Sequence, residues 1–167
     1  MLIGATPIHA LRPYRRVRMR ILIIDDSIVM RKIVENALRR SGLKLDEVLH
    51  AANGAQGLAL LETLAEPFDL ILCDVHMPVM DGLSFLREKP RRNLAPGVPV
   101  VMITADESDP HLLDAIAAGA QGYITKPFTL EQMKTSITPL LTASGQAQPS
   151  RILPATELPP QTIGGAP

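Results

Sequence analysis

Asp74-Val75-His76-Met77-Pro78-Val79-Met80-Asp81-Gly82, entered from the apolar run Leu70-Ile71-Leu72-Cys73, is the stretch on which the reading of this chain turns. The run holds no charge and no turn residue, the pattern of a parallel strand buried on both faces, so it predicts a strand that delivers Asp74 to its carboxyl end. In open α/β sheets, ligands collect outside the carboxyl ends of the strands. Three other strand-like runs also stop on polar residues with useful chemistry: Asp25-Asp26, Thr104 and Lys126.

Outward from that stretch, strand and helix signals alternate. Met19-Arg20-Ile21-Leu22-Ile23-Ile24 begins the first strand, which ends at Asp25-Asp26, and Ser27 suits the N-cap of a helix. In that helix Val29, Ile33 and Ala37, with Met30, Val34 and Leu38, form an apolar face, and Ser41-Gly42 stops it. A short strand is expected around Val48-Leu49-His50-Ala51, then Asn53-Gly54 as a turn and an Ala/Leu-rich helix to about Ala65, closed by Pro67. The central strand runs from Phe68 to Cys73. Beyond the loop, Leu83, Phe85 and Leu86 start a third helix that breaks up by Pro90. Val100-Val101-Met102-Ile103 is the fourth strand, ending at Thr104. Pro110 suits the first turn of a fourth helix, which Gly119 stops. Gly122-Tyr123-Ile124-Thr125 is the fifth strand, ending on Lys126-Pro127, and a last helix runs from about Leu130 to Leu141, with Pro139 expected to kink it or end it early. Five alternations require parallel pairing through right-handed crossovers. They predict an α/β domain over about residues 19–142, a five-stranded parallel sheet with helices on both faces.

The flanks read differently. Residues 1–18 are basic and lack an apolar core, so they make a poor secretory signal; their Arg-rich, acid-free composition is shared with organellar transit peptides, while Met19 offers an alternative translation start. The reading adopted is a disordered or artefactual extension. Residues 143–167 are rich in Pro, Gly, Gln and Ser, hold no aromatic residue, and are expected to be a disordered tail.

Composition narrows the function. With 46% hydrophobic residues the chain can build a core, and its net charge of zero divides into an acid-free start and an acidic remainder, which disfavours nucleic acid as the domain's partner. A DNA-binding output would need a helix-turn-helix, which the Pro-rich composition of residues 143–167 is not expected to supply. The single cysteine, Cys73, reads as a small buried hydrophobe, fitting a reducing cytoplasm, and no apolar stretch approaches the roughly 20 residues of a membrane span.

Taken singly, the polar strand ends are unremarkable: an Asp-Asp pair is a common helix start, Lys126 a loop lysine, Thr104 a turn residue, Tyr123 a packing aromatic. Together they are costly without a cation, because neighbouring carboxylates raise one another's pKa. Hard oxygen ligands from carboxylates, completed by waters and a phosphate, describe a Mg²⁺ site rather than a zinc site. Lys126 adds a positive charge and Thr104 a hydroxyl, both suited to phosphoryl oxygens. The set reads as machinery for moving a phosphoryl group onto Asp74.

The motifs resemble, in order, those of the receiver domain of bacterial response regulators, the CheY-like superfamily. They are Asp25-Asp26-Ser27 with Met30-Arg31, then Asp74 with Met77-Pro78 and Met80-Asp81-Gly82, then Ile103-Thr104-Ala105, and finally Gly122-Tyr123-Ile124-Thr125-Lys126-Pro127-Phe128. The intervals of 30 residues from Asp74 to Thr104 and 22 from Thr104 to Lys126 are family-like as well. The resemblance implies a flavodoxin-like, doubly wound sheet of order 2-1-3-4-5, for which a member of this family is itself a standard example. It implies Asp74 as phosphoacceptor from the phosphohistidine of a sensor histidine kinase, and Mg²⁺ held by Asp25, Asp26, Asp74 and the backbone carbonyl of His76. Lys126 and Thr104 would bind the phosphoryl group, and Tyr123 would move inward behind Thr104, remodelling a face built from the fourth helix, fifth strand and fifth helix that binds a downstream protein.

On that resemblance the chain is expected to be a single-domain response regulator of a two-component or phosphorelay system, a phosphoprotein and signalling module rather than an enzyme. It would promote only its own phosphotransfer and autodephosphorylation. Chemotaxis regulators are the nearest comparison; an intermediate passing phosphate to a histidine phosphotransfer domain is the alternative, and phosphorylation-dependent dimerisation is left open. A Mg²⁺-dependent aspartyl-phosphate phosphatase of the haloacid dehalogenase type is disfavoured, since such enzymes want an acid where His76 stands. His76 departs from the residue usual at its position, and its imidazole, of ordinary pKa near 6.5, is expected to tune dephosphorylation together with Asp106. His9, His50 and His111 lack metal-ligand spacing and are read as incidental.

Overall fold

The computed structural model describes residues 19–143. The basic start expected over 1–18 and the tail expected from 143 onward lie outside these residues, except for Ala143. The elements alternate strictly: β1 (Met19–Ile24), α1 (Ile28–Arg40), β2 (Leu45–Ala51), α2 (Gly54–Thr63), β3 (Leu70–Asp74), α3 (Gly82–Arg91), β4 (Val100–Thr104), α4 (Pro110–Ala117), β5 (Gly122–Thr125) and α5 (Leu130–Ala143). The strands form one parallel sheet in the order β2-β1-β3-β4-β5, as the resemblance implied.

The continuous apolar runs follow from burial on two sides. Successive strand side chains point to opposite faces, so each strand must satisfy two cores at once. Ile21, Ile23, Leu70, Leu72, Val101 and Ile103 pack under Val34 and Leu38 of α1 and Met133 and Ile137 of α5. Leu22, Ile24, Ile71, Cys73 and Met102 pack under Leu58 of α2, Phe85 and Leu86 of α3, and Leu112 and Ala115 of α4. Parallel register carries the strand ends to one edge: Ile24 lies beside Cys73, Asp74 beside Ile103, and Thr104 beside Thr125.

Some local expectations are corrected. β2 starts at Leu45, three residues before the expected Val48, because it is an edge strand whose Asp46 and Glu47 face solvent and interrupt the apolar pattern. Asn53 caps α2 instead of making a free turn, its side chain accepting the Gln56 N–H at 3.0 Å, and α2 ends at Thr63, ahead of Ala65. β3 begins at Leu70; Phe68, before it, packs beneath the Arg20 guanidinium, 5.1 Å from the ring centroid. Pro139 does not end α5, which continues to Ala143. Buried Ile137 before the proline and Leu140 and Leu141 after it all pack on the core, and that anchoring outweighs one missing backbone donor.

Candidate functional site

The carboxyl edge of the sheet assembles the site. Asp25 leaves β1 and is 1% exposed; its Oδ1 accepts the Ser27 N–H at 2.8 Å, and its carbonyl accepts from the Arg31 guanidinium. Ser27 in turn caps α1, its hydroxyl oxygen accepting the Met30 N–H. Asp26 is exposed beside it. Asp74 ends β3 and is buried. The chain then turns back through Met77-Pro78 to Asp81, whose carboxylate caps α3 by accepting the Ser84 N–H at 2.7 Å. Gly82 N–H donates to Val75 O at 3.0 Å, and a Cβ on Gly82 would stand 2.3 Å from Asp74 O. Only a glycine lets the start of α3 pack this closely on the backbone of Asp74.

Lys126 reaches in from the end of β5. Its ammonium donates to Asp74 Oδ1 at 2.7 Å and to Asp25 Oδ2 at 3.1 Å, and its own backbone N–H donates to Thr104 O at 2.7 Å. The following Lys126-Pro127 peptide is cis. Burial pushes the Asp74 carboxyl above its ordinary value; the Lys126 hydrogen bond and charge oppose this, while Asp25 and Asp26 push it further up. For Lys126, burial pulls the ammonium down, but its hydrogen bonds and charge pairing with Asp74, then Asp25, outweigh that and hold it above its ordinary value. Cys73 is fully buried with its thiol pushed well up by that burial and then by Asp74 and Asp25, so it stays a packing residue.

This arrangement suits a hard divalent cation. The Asp25 and Asp74 carboxylates meet at one ammonium, with exposed Asp26 next in the chain, and the oxygen-only donors these acids offer match Mg²⁺ rather than a softer metal.

Asp25, Asp74 and Lys126 are thus brought into direct contact. Thr104 ends β4, 1% exposed, with its hydroxyl engaged by Asp106: it accepts the Asp106 N–H at 3.2 Å and donates to the Asp106 carbonyl at 3.0 Å. Tyr123 is half-buried on β5 and packs against the core beneath α2, α3 and α4. His76 and Asp106 line one open cleft beside Thr104 but their side chains do not pair. The Asp106 carboxylate accepts from the Ser108 N–H and hydroxyl, at 2.8 and 2.7 Å, whereas the His76 ring pairs with Asp109, Nε2 to Oδ2 at 2.5 Å.

Asp109 is the residue sequence reasoning passed over, and His111, read from sequence as incidental, meets it. Asp109 is the N-cap of α4, and the Asp109-Pro110 pair carries a cap signature that could have marked it. Its meeting with His76 across 33 residues has no local signal.

Comparison with known proteins points one way. The response regulator receiver domain family matches residues 21–138. The chemotaxis protein CheY homolog of Campylobacter jejuni is 34% identical over 129 residues, covering 77% of this chain and 97% of that protein. The chemotaxis protein CheY of Pseudomonas aeruginosa is 35% identical over 119 residues, covering 71% and 93%. Among solved structures, a CheY-like receiver domain protein from Methanospirillum hungatei superposes with a TM-score of 0.66 at 30% identity, covering 77% of this chain and 97% of that one. Among the described residues, no helix is long and apolar enough to cross a membrane.

Proposed function

The chain belongs to the response regulator receiver domain family and is homologous to chemotaxis response regulators, and from that premise we propose that Asp74 accepts a phosphoryl group from a sensor kinase and thereby switches binding to a downstream protein. The observation that carries this reading is the Lys126 ammonium 2.7 Å from Asp74 Oδ1 inside a cluster of carboxylates at the sheet's carboxyl edge. An Asp74 carboxylate oxygen attacks the phosphorus of a phosphohistidine protonated on its other ring nitrogen; the new P–O bond forms as the P–N bond breaks, and the histidine leaves as a neutral imidazole that keeps the bonding pair.

Asp25, Asp26, Asp74 and the His76 backbone carbonyl would hold Mg²⁺, which when bound supplies positive charge against the phosphoryl oxygens. Lys126 holds Asp74 in the unmodified state and trades that contact for a phosphoryl oxygen. Thr104 can reach the same group only by releasing Asp106, and that exchange links modification to the segment leading into α4. Tyr123, packed just behind on β5, follows inward, so the face of α4, β5 and α5 changes shape. A ligand shifts such an equilibrium only through contacts that differ between the two states, and the phosphoryl oxygens offer Thr104 and Lys126 partners a bare carboxylate does not. The kinship with chemotaxis proteins makes motility control the pathway we favour. His76, its ring held by Asp109, and Asp106, at the rim of the same cleft, are the residues proposed to tune dephosphorylation. Unchanged phosphoryl lifetimes in His76→Asn and His76→Ala variants would remove that role.

The test is a phosphoprotein mobility shift with acetyl phosphate and Mg²⁺, wild type beside Asp74→Asn. A Mg²⁺-dependent shift lost in the variant is expected. A shift that survives in Asp74→Asn would move the acceptor elsewhere.

A further inference from the structure

The imidazoles of His76 and His111 close on one carboxylate. His76, in the loop after β3, places Nε2 2.5 Å from Asp109 Oδ2; His111, in the first turn of α4, places Nδ1 2.9 Å from Asp109 Oδ1. One donor atom from each residue lies within 4.8 Å of the other two, and the rings meet edge to face with centroids 5.4 Å apart. The Asp109 side chain is 8% exposed and fixed as the cap of α4 by the His111 backbone N–H at 2.9 Å. Both imidazoles are open to solvent, with side chains 61% and 51% exposed. A carboxylate held rigid between two accessible imidazoles is a preorganised set of three donors.

We propose that His76, Asp109 and His111 bind a borderline divalent transition-metal ion, Zn²⁺ above all, at a site separate from the oxygen-only pocket around Asp74. Two imidazole nitrogens and one carboxylate oxygen are a donor set that Zn²⁺ takes up readily and that Mg²⁺, which prefers oxygen, does not. Tetrahedral bonds of about 2.0–2.1 Å separate neighbouring donors by about 3.3 Å. The two imidazoles now rest on different oxygens of Asp109, and the three donor atoms lie within 4.8 Å of one another. Closing on one carboxylate oxygen therefore draws donors together by up to about 1.5 Å, which exposed imidazoles accommodate by rotating, and the metal replaces the proton held in each contact. A fourth position stays open to water. The local charge favours a cation: residues 106–114 contain Asp106, Glu107, Asp109 and Asp114 and no Lys or Arg. The bound ion would tie the loop after β3 to the start of α4 without using Asp25, Asp26 or Asp74.

The experiment titrates Zn²⁺ calorimetrically into the tag-free full-length chain under saturating Mg²⁺, with Co²⁺ absorption as the report on geometry. A single saturable event with a tetrahedral Co²⁺ spectrum is expected. It should weaken at least about tenfold in both His111→Ala and His76→Gln, since each loses one of three ligands, and persist in Asp26→Asn. Both histidines are exposed, so these variants keep the fold, and circular dichroism checks that they do. The proposal is overturned by an absence of binding, by binding unchanged in the two histidine variants, or by binding lost in Asp26→Asn.

Discussion

The Lys126 ammonium lies 2.7 Å from Asp74 Oδ1, joining two residues 52 positions apart, and the same ammonium reaches Asp25 Oδ2 at 3.1 Å. One cation therefore compensates two buried carboxylates. Removing one member of a buried pair leaves the other charge uncompensated, at a cost of about 3–5 kcal/mol when burial is complete. The Lys126 side chain keeps 19% of its exposure, which softens the loss. Lys126→Met, which keeps the apolar stem and drops the charge, should lower stability by about 2 kcal/mol at neutral pH. In mildly acid solution the loss should shrink as Asp74 takes up a proton. Urea denaturation at both pH values checks this, and an equal loss at both would show that charge is not the cause.

Asp74 itself should be a stability cost in the unmodified protein. Burial first, with Asp25 and Asp26 adding to it, holds its carboxyl above the ordinary value despite Lys126. A carboxyl raised on folding binds its proton more tightly in the native state. Its contribution to stability is therefore present below the ordinary Asp range and lost as pH rises through the raised value. Asp74→Asn removes the ionisation and should be more stable than wild type at neutral pH, with the difference fading on acidification toward the ordinary Asp range. Thermal melts across that window without Mg²⁺ make the comparison; a variant less stable than wild type at neutral pH would mean that the Lys126 contact outweighs burial.

Much of this was legible because burial on both faces writes itself plainly into sequence. Ile21 and Ile23 serve the core under α1 and α5 while Leu22 and Ile24 serve the other, so β1 reads as an unbroken apolar run whose end marks Asp25. The same logic marked Asp74 and Thr104, and parallel register then brought the ends together. The start of β2 was not legible, because Asp46 and Glu47 on an exposed edge break the run. Asn53-Gly54 has the composition of a turn and the function of a cap, a choice decided by Gln56. Pro139 obeys a local rule that packing by Ile137 and Leu141 overrides. The His76–Asp109 contact depends on where a loop and a helix start meet, which no periodicity encodes.

Val79, at the tip of the loop after Asp74, has φ 70° and is 87% exposed. A β-branched side chain in the left-handed region costs roughly 1–2 kcal/mol, and Val79 has little burial to offset it. Val79→Gly relieves that strain while adding some unfolded-state freedom, for a net stabilisation of about 1 kcal/mol. The denaturation midpoint should rise with an unchanged slope. A fall in the midpoint would show that Val79 makes a contact worth more than its strain.

Gly82 should respond in the opposite sense to its helical setting. It is the first residue of α3, and within a helix alanine is ordinarily favoured over glycine by about 1 kcal/mol. Here the added methyl would lie 2.3 Å from Asp74 O and 2.7 Å from Met102 Cε. Met102 can swing its terminal methyl aside. The Asp74 carbonyl cannot, because it belongs to the backbone at the end of β3, between β1 and β4. Gly82→Ala must therefore push the start of α3 away from β3 or tilt the Asp74 peptide, and overpacking of this kind costs about 1–3 kcal/mol. A tilt of the Asp74 peptide also shifts its carboxylate relative to Lys126 and Asp25. The expected result is a protein that is less stable and that takes up phosphate from acetyl phosphate more slowly than wild type, with both defects present in the one variant. Lost stability with an unchanged phosphorylation rate would show that the strain relaxes wholly into α3 and leaves the acceptor in place.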